Sequence, residues 1–257
     1  MLDQKGFLWG LRLALLVPLS LAAETPQLSP QALVREQGQS EKLFDYFESS
    51  ERIETNADVQ IVTRTRFVDS ETGRDAFREV LTTDAEGRLM ISYEVEQLQL
   101  DEKGSIKVDR KAGKIHFRYF KEGKWKERSE TLEEPFIVGA MIPRFIQLYE
   151  AQLLAGEKVR FHLAVPYMTK SFNFALTKND MKDFKGRQLP EMAMSPTNVF
   201  VRAAVKPLYF TYDPDSREVR QILGKVFLKK RIKHGFDAFM AETLFLAEPK
   251  PAPAAAK

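Results

Sequence analysis

The sequence predicts a mainly β protein of the α+β class. We expect a curled antiparallel sheet or half-closed β-barrel built from hairpins, with a central apolar helix and one or two short helices covering its concave face. Segments of alternating polarity, separated by short connections rich in Gly and Asp, fill most of residues 51–246. One unusually apolar stretch, residues 133–157, interrupts them. Because an antiparallel sheet of this length is ordinarily one unit, residues 51–246 are expected to form a single β-rich domain.

Residues 1–23 have the features of a cleavable signal peptide. Lys5 and Arg12 precede an apolar run at 13–21. The Ala22-Ala23 pair after the run supplies the small residues that a signal peptidase needs. The run is shorter than the roughly 20 residues that span a bilayer, although apolar residues before Arg12 leave an uncleaved anchor as an alternative. The expected location is the periplasm, or the exterior of a cell that has no outer membrane.

Composition narrows the class of partner. The chain has no cysteine, so no disulfide framework can form, which is more typical of a bacterial envelope protein than of a eukaryotic secreted one. The formal net charge is +3, and removal of the signal peptide leaves +2. The mature protein is therefore nearly neutral, and its global charge indicates no particular partner. We expect no nucleic acid as a partner in the envelope.

The two ends of the chain are predicted to differ from its middle. Residues 24–50 are expected to form an N-terminal linker and a helix, because Ser29-Pro30 matches an N-cap followed by proline at the first helical position. Four residues would give this helix a loose apolar stripe: Leu33, Leu43, Phe44 and Phe47. Residues 247–257 are rich in Pro and Ala and are predicted to be a disordered tail.

Alternation of polarity predicts the first strands. From Ile53 to Phe67 the odd positions are apolar or small and the even positions are mostly charged or amide, which predicts one long strand with a single face against a core. Further alternating segments up to residue 131 are separated by tight turns such as 101–104 and 121–123. They predict a meander of hairpins.

The second half of the chain contains a change of parity. Apolar residues occupy odd positions in 159–165 but even positions in 172–176, on either side of Pro166. We expect a bulge or corner at this proline, where a strand bends and changes sheet or curls round a barrel. Ser195-Pro196 repeats the cap-plus-proline pattern and predicts a second short helix at 197–205, followed by more strands.

The order of these segments resembles a known type of protein. The stretches "PFIVGAMIP", "LLAGEKVRFHLAVP" and "PLYFTYDPDSREVRQILGKVFL" are similar to a family of uncharacterised exported bacterial proteins, over about residues 76–230. The family is distantly similar to the periplasmic lipoprotein carriers, with which it shares a curled antiparallel sheet. The resemblance implies a half-closed barrel with helices in or over its mouth, and in the carriers the cavity holds acyl chains.

The apolar helix at 143–155 is the main candidate for a ligand site. Pro143 suits its first turn and Gly156 suits the left-handed residue after its end. Since apolar residues cover more than half its circumference, the helix either fills the core or leaves an apolar gap beside it. The residues predicted to line a ligand pocket are Phe136, Phe145, Tyr149, Leu153, Phe161 and Phe174.

Two segments combine cations with aromatic residues, at 111–128 and 224–235. Such a combination is able to contact anionic lipid headgroups, glycans or a membrane surface. The alternative is a solvated hairpin whose lysines prevent edge-to-edge pairing. The residues predicted to make anionic-group or surface contacts are Arg118, Lys121, Lys124, Trp125, Lys229 and Arg231.

No motif indicates a reaction. The sequence has no G-x-S-x-G elbow, no S-x-x-K, no H-E-x-x-H and no P-loop, and its three histidines lie far apart at 116, 162 and 234. We therefore predict no catalytic residue, metal or cofactor. The expected function is a periplasmic binding or carrier protein for a lipid-like or other hydrophobic ligand of the cell envelope. An envelope scaffold or protein-interaction module is the alternative, and a hydrolase of unknown class is the second.

Overall fold

The computed structural model describes residues 29–54 and 58–246. The predicted signal peptide at 1–23, the first residues of the predicted linker and the predicted tail at 247–257 lie outside the described residues. The strands are β1 Ala32–Glu36, β2 Lys42–Glu54, β3 Val59–Asp69, β4 Asp75–Asp84, β5 Met90–Gln97, β6 Glu102–Asp109, β7 Lys114–Lys121, β8 Lys124–Thr131, β9 Phe136–Ile137, β10 Val159–Val165, β11 Lys170–Phe184, β12 Arg187–Pro196, β13 Leu208–Asp213, β14 Glu218–Ile232 and β15 Gly235–Phe245.

All these strands belong to one 15-stranded sheet among the described residues, in the order β8-β7-β6-β5-β4-β3-β2-β1-β15-β14-β13-β12-β11-β10-β9. Two meanders, β1 to β8 and β10 to β15, are joined where the first strand pairs with the last, Ala32 opposite Phe245. Neighbours are antiparallel except for the short β9, which runs parallel to β10. The sheet does not close, because β8 and β9 are its two edges. The predicted curled, half-closed sheet is confirmed.

Three short helices accompany the sheet in the described part of the chain: α1 Ile142–Leu148, α2 Glu150–Leu154 and α3 Val199–Ala204. The central helix predicted at 143–155 is present but breaks at Tyr149, whose φ of −109° and ψ of 18° are not helical. Gly156 follows with a φ of +83°, as the sequence predicts for the residue after a helix.

The predicted short helix at 197–205 corresponds to α3, but its cap differs from the expected one. The side chain of Asn198 accepts a hydrogen bond of 2.9 Å from the backbone N–H of Phe200 and thereby caps the helix. Ser195 and Pro196 instead end strand β12.

The helix predicted within residues 24–50 is wrong. The chain there forms β1 and β2, which pair with each other and leave Ala32, Val34 and Phe44 fully or almost fully buried. The physical reason is the pairing of β1 with β15, since a hydrogen-bonding partner about 200 residues away outweighs the local preference for a helix.

The single long strand predicted from Ile53 to Phe67 is also wrong. Strand β2 ends at Glu54 and β3 begins at Val59, and these two residues are opposite each other in an antiparallel pair. Ile53 pairs with Gln60 and Ile61 with Arg52, so the two isoleucines lie on opposite faces of the sheet. Phe67 lies on the inner face of β3 at an odd position, whereas Phe44 and Tyr46 lie on the inner face of β2 at even positions, so the alternation does not carry over from one strand to the next.

The change of parity at Pro166 has a simpler cause than a bulge or corner. Pro166–Met168 forms a single 3-10 turn that joins β10 directly to β11 in the same sheet. Phe161 is opposite Phe174 in this hairpin, so an odd and an even residue share one face. The strand therefore does not change sheet, and the prediction of a bulge is wrong.

The core lies inside the curl. Buried residues from both meanders and from α1 form one apolar cluster, in which Phe77 and Phe117 come from the first meander and Phe161 and Phe210 from the second. No helix in the described part of the chain is both long enough and apolar enough to cross a bilayer.

Candidate functional site

A cavity of about 700 Å³ lies inside the curl, between the two meanders. Strands β2 to β5 form one wall, β13 to β15 form the opposite wall, and the segment from Gly139 to Gln147 forms a third. Most of the side chains that line it are apolar: Ile61, Phe67, Phe77, Leu81, Met141, Ile142, Phe210, Ile222, Val226, Leu228 and Phe245. A volume and lining of this kind are typical of small-molecule sites, which span roughly 300–1,000 Å³.

Helix α1 is held at one end of the cavity by the turns on either side of it. The guanidinium of Arg144 donates a hydrogen bond of 3.0 Å to the carbonyl of Glu86 in the turn after β4. The amide of Gln147 donates one of 2.6 Å to the carbonyl of Arg217 in the turn after β13. Arg217 also forms a salt bridge of 3.0 Å with Glu150. These contacts fix α1 as a wall between the two meanders.

The opposite part of the cavity is bounded by an irregularity in β14. The pairing of β14 with β15 shifts register between Lys225 and Lys229, and the intervening residues line the cavity. Gln97 and Gln99, at the end of β5, donate hydrogen bonds of 2.9 and 3.0 Å to the carbonyls of Phe227 and Lys229. The irregular segment thus contacts both meanders and holds the curl together.

Two carboxylates line the wall formed by β2 to β4, and we call Glu48 and Glu79 the acidic pair. Thr65 of β3 is opposite Glu48 on one side and Glu79 on the other, so the three side chains lie in one row across adjacent strands. The hydroxyl of Tyr93 donates a hydrogen bond of 2.5 Å to Glu79. The hydroxyl of Tyr46 donates one to Glu48.

The interior position of Glu79 raises the pKa of its carboxyl group. Burial raises the pKa of Glu79, and the charge of Glu48 adds to this, although hydrogen bonds from Tyr93 and Thr65 oppose it. Burial, followed by the neighbouring carboxylates, raises the pKa of Tyr46 and Tyr93 well above the ordinary value. Both tyrosines therefore remain hydrogen-bond donors at every physiological pH.

No cation compensates the acidic pair within the described part of the structure. None of the ion pairs formed by the described residues includes Glu48 or Glu79. Arg220 also lines the cavity, but it is occupied by Asp213 at 3.4 Å and by Glu218 at 2.8 Å. Lys225 lines the opposite wall and is exposed to solvent.

The six residues predicted to line a ligand pocket are brought together, but in packed core and not at the cavity. Phe145 lies 5.0 Å from Phe161 and 4.6 Å from Tyr149, measured between ring centroids, and Phe161 lies 6.3 Å from Phe174. Phe136 and Leu153 are also fully buried, and Tyr149 is partly buried. The helix segment does border a cavity, through Met141, Ile142, Pro143, Arg144 and Gln147 on its other side.

The residues predicted to make surface contacts form two separate groups. Arg118 lies with its guanidinium 3.8 Å from the ring centroid of Trp125 and 3.0 Å from Glu127, and Lys121 pairs with Glu102 at 3.0 Å. Lys124 is exposed at the start of β8. In the other group, Arg231 lies 5.3 Å from the ring centroid of Phe236 and Lys229 contacts Gln99 through its backbone.

Strand β8 is an edge of the sheet and nearly all its side chains are exposed. Its lysines and arginine are in the position where charge prevents edge-to-edge pairing, which is the alternative that the sequence left open. Edge protection and surface contact are compatible roles for the same hairpin.

The three histidines stay apart. His116 contacts Ser129 at 2.9 Å and His162 lies 3.4 Å from Glu133, both through side-chain atoms. Across residues 29–54 and 58–246, no three His, Cys, Asp or Glu side chains are grouped so as to hold a metal ion.

Sequence reasoning missed the acidic pair, although a signal for it exists. Phe77, Glu79 and Leu81 alternate in β4, and Phe44, Tyr46 and Glu48 alternate in β2. A carboxylate at the inward position of an alternating strand is unusual and marks an interior polar site. The sequence could not show that the two carboxylates meet, because this depends on the register of β2, β3 and β4.

No protein-family model matches the chain, and no curated protein matches it significantly. Among solved structures, the chain is similar to a crystal structure described as a beta-barrel-like protein of the domain of unknown function DUF1849 from Brucella abortus. The identity is 12% and the TM-score is 0.42, with 85% of this chain and 96% of that chain covered. At this identity most side chains differ between the two proteins.

Proposed function

We propose that this protein binds or carries a lipid-like or other hydrophobic ligand in the bacterial cell envelope. The observation that supports this is the cavity of about 700 Å³ inside the curl, with its apolar walls on both meanders. Apolar walls of this extent offer a matching apolar ligand favourable contacts. The acidic pair supplies the few polar groups that orient a ligand in such a site.

The proposed location is the periplasm. It is supported by the signal-like residues 1–23 and by the absence of cysteine from the sequence. In this compartment a protein that shields apolar molecules from water has an evident use, because lipids must cross an aqueous space.

Ligand binding in the cavity is tested by a substitution that fills the cavity with a larger side chain. Ile61 lines the cavity from β3, whereas Ile53, in the same hairpin, lies on the opposite face of the sheet and is exposed. Ile61→Trp should weaken binding of a neutral fluorescent probe such as diphenylhexatriene by about tenfold or more, and Ile53→Trp should leave it unchanged. The matched pair separates loss of space from any general effect of an added tryptophan.

Native mass spectrometry of protein purified from its own source provides the complementary test. Co-purification of a small apolar molecule, lost in Ile61→Trp, is the expected result. A protein that carries no such molecule and binds no apolar probe would contradict the proposal and favour the scaffold alternative.

We also propose that one end of the barrel contacts an anionic membrane surface. Five partly exposed apolar residues lie at this end, and we call them the apolar end: Leu98, Leu100, Tyr167, Met168 and Phe227. The rings of Tyr167 and Phe227 are 5.3 Å apart, and Gln97 binds the carbonyl of Phe227. These contacts place the turn after β5, the turn after β10 and the irregular part of β14 side by side.

Cations and a tryptophan adjoin the apolar end. Trp125 is 43% exposed at the start of β8, and the ammonium of Lys103 lies 6.0 Å from its ring centroid. Lys103 and Lys124 form no ion pair with any described residue, so their charge remains available. Exposed aromatic and aliphatic groups beside free cations suit the interface of an anionic bilayer. Since Phe227 also lines the cavity, a membrane at this end would adjoin the cavity wall.

A further inference from the structure

We infer that the ligand of the cavity carries a cationic amine, which binds between Glu48 and Glu79. The inference rests on the proposed function, because it requires the cavity to be occupied. It adds the chemical class of the ligand, namely an apolar body with an ammonium group.

The position of the acidic pair is set by register. Thr65 separates Glu48 from Glu79 in a row across β2, β3 and β4, and all three side chains share the face that lines the interior. Side chains directly opposite each other in neighbouring strands have Cβ atoms about 5 Å apart. The Cβ atoms of Glu48 and Glu79 are therefore about two strand spacings apart. The charge of Glu48 acts on Glu79, so the two carboxylates are near enough to interact, and an ammonium group with three donors is able to bind between them.

Among residues 29–54 and 58–246, the side-chain partners of the acidic pair are hydroxyl groups. Tyr93 donates to Glu79, and Tyr46 donates to Glu48. A hydroxyl donor orients a carboxylate but carries no charge to compensate it, and an uncompensated charge in an apolar interior is strongly unfavourable. The site therefore offers the negative charge and the acceptor oxygens of half an ion pair, and a ligand cation would complete it.

The other charged groups around the cavity do not complete the pair. Arg144 is bound to the carbonyl of Glu86, and Arg220 is bound to Asp213 and Glu218. Lys225 is exposed and lies on the wall of β14, opposite the acidic pair. Consequently the charge that a ligand meets beside β2 and β4 is negative.

The same arrangement disfavours anionic headgroups. A fatty-acid carboxylate placed in the row beside Thr65 would stand next to two other carboxylates, and like charges at such distances repel strongly in an interior of low polarity. A neutral alcohol would make hydrogen bonds but would not neutralise the charge. The predicted order of affinity is therefore amine, then alcohol, then carboxylate.

Three probes of equal chain length test this order: dodecylamine, dodecanol and dodecanoate. Each is titrated against the full-length mature protein preloaded with diphenylhexatriene, and displacement of the fluorescent probe gives the affinity. We expect dodecylamine to bind at least about tenfold more tightly than dodecanoate. In the double variant Glu48→Gln and Glu79→Gln the ratio of the affinities for dodecylamine and dodecanoate should fall close to unity.

A matched control uses another carboxylate of the same cavity. Glu218 lines the cavity at its rim and is paired with Arg220, so Glu218→Gln should keep the preference for the amine. Thermal melting of each variant shows whether it is folded.

Equal or tighter binding of dodecanoate, or a preference for amine that survives in the double variant, would overturn the inference. If diphenylhexatriene binds but the order of affinity is absent, only the inference fails. If no probe binds at all, the proposed function fails with it.

Discussion

Tyr93 donates a hydrogen bond of 2.5 Å to Glu79 across the adjacent strands β5 and β4, and both side chains line the apolar cavity. The bond links a carboxylate that burial makes reluctant to ionise with a hydroxyl that burial keeps protonated. Burying these two polar groups costs free energy, which other contacts of the folded protein must offset. Buried ionisable groups of this kind are common at binding sites and uncommon in a core that only packs.

Replacement of Glu79 by Gln should stabilise the protein at neutral and higher pH. The pKa of Glu79 is raised in the folded state, so between the ordinary and the raised pKa the folded protein binds more protons than the unfolded chain. The free energy of unfolding therefore falls as pH rises through this window, and it stays lower above the raised pKa. Glu79→Gln removes this loss, and each kcal/mol recovered should raise Tm by roughly 2–4 °C.

Thermal melting between pH 4 and pH 9 checks this prediction, with Glu86→Gln as the control. Glu86 is exposed in the turn after β4, so its replacement should leave the pH profile of the wild type intact. A Glu79→Gln variant that is less stable than the wild type at pH 8 would show that the carboxylate is stabilising where it stands.

Gly104 should tolerate no larger residue. It lies in β6 opposite Tyr119 of β7, and a Cβ atom added to it would lie 2.5 Å from Cδ2 of the tyrosine ring. The ring is held by the hydrogen bond of 2.7 Å from its hydroxyl to Glu102. Gly104→Ala should therefore cost about 1–3 kcal/mol through overpacking.

Gly139 provides the comparison for that substitution. A Cβ atom at Gly139 would meet no heavy atom within 4 Å, so Gly139→Ala should change the free energy of unfolding by less than about 0.5 kcal/mol. Urea denaturation of both variants measures the difference. Equal stabilities for the two would mean that the β6–β7 pair adjusts more freely than its packing suggests.

Phe145 and Ile61 should separate stability from ligand binding. Phe145 is 4% exposed and packs against Phe161, away from the cavity, so Phe145→Ala should cost on the order of 3–5 kcal/mol. At a temperature where this variant is still folded, its affinity for diphenylhexatriene should equal that of the wild type. Ile61→Trp should show the reverse, with lost affinity and a nearly unchanged Tm. A loss of probe binding in folded Phe145→Ala would place the ligand beside Phe161 instead.

Local sequence patterns predicted some elements of this fold and missed others. The hairpins from β3 to β8, the central helix and Gly156 all depend on residues close together in the chain, and local patterns predicted them. The helix predicted around Leu33 and Phe44 failed because β1 is ordered by pairing with β15 at the far end of the chain. The pattern of polar and apolar residues in β1 carries no information about a strand partner that far away in the chain.

The candidate site was harder to predict than the fold, for a related reason. Aromatic residues such as Phe145 and Phe161 were expected to line a pocket because they are large and apolar, yet such residues are also the ones that pack most completely. The cavity lies where packing between the two meanders is incomplete, and other aromatic residues, such as Phe77 and Phe210, line it together with the acidic pair. Whether two walls leave a gap depends on the curvature of the whole sheet, which no single segment encodes.

Processing of the N-terminus gives a prediction independent of the cavity. If residues 1–23 act as a signal peptide, exported protein should begin at Ala23 or Glu24, because cleavage follows a small residue. Intact-mass analysis of protein from the periplasmic fraction identifies the first residue. Retention of Met1 in exported protein would support the uncleaved anchor instead.

The apolar end should bind anionic vesicles through its exposed side chains. Tyr167 and Met168 are 50% and 45% exposed in the turn after β10, and burial of both in a bilayer interface would remove apolar surface from water. The double variant Tyr167→Ser and Met168→Ser should therefore co-sediment several-fold less with vesicles of phosphatidylglycerol and phosphatidylcholine. Lys124→Glu should weaken binding further at low salt and have less effect at high salt, because screening already removes the attraction there.

The matched control is Ile53→Ser, since Ile53 is 38% exposed at the end of β2, and β2 and β10 end at opposite ends of the barrel. It removes a similar amount of exposed apolar surface and should leave co-sedimentation unchanged. Vesicles of pure phosphatidylcholine should bind the wild type weakly, because they lack the negative charge that Lys103 and Lys124 would meet. Equal binding of both kinds of vesicle, or equal losses in Ile53→Ser and in the double variant, would rule out this end as the membrane contact. A dimer that dissociates in the double variant would instead identify the apolar end as an interface between two copies of the chain.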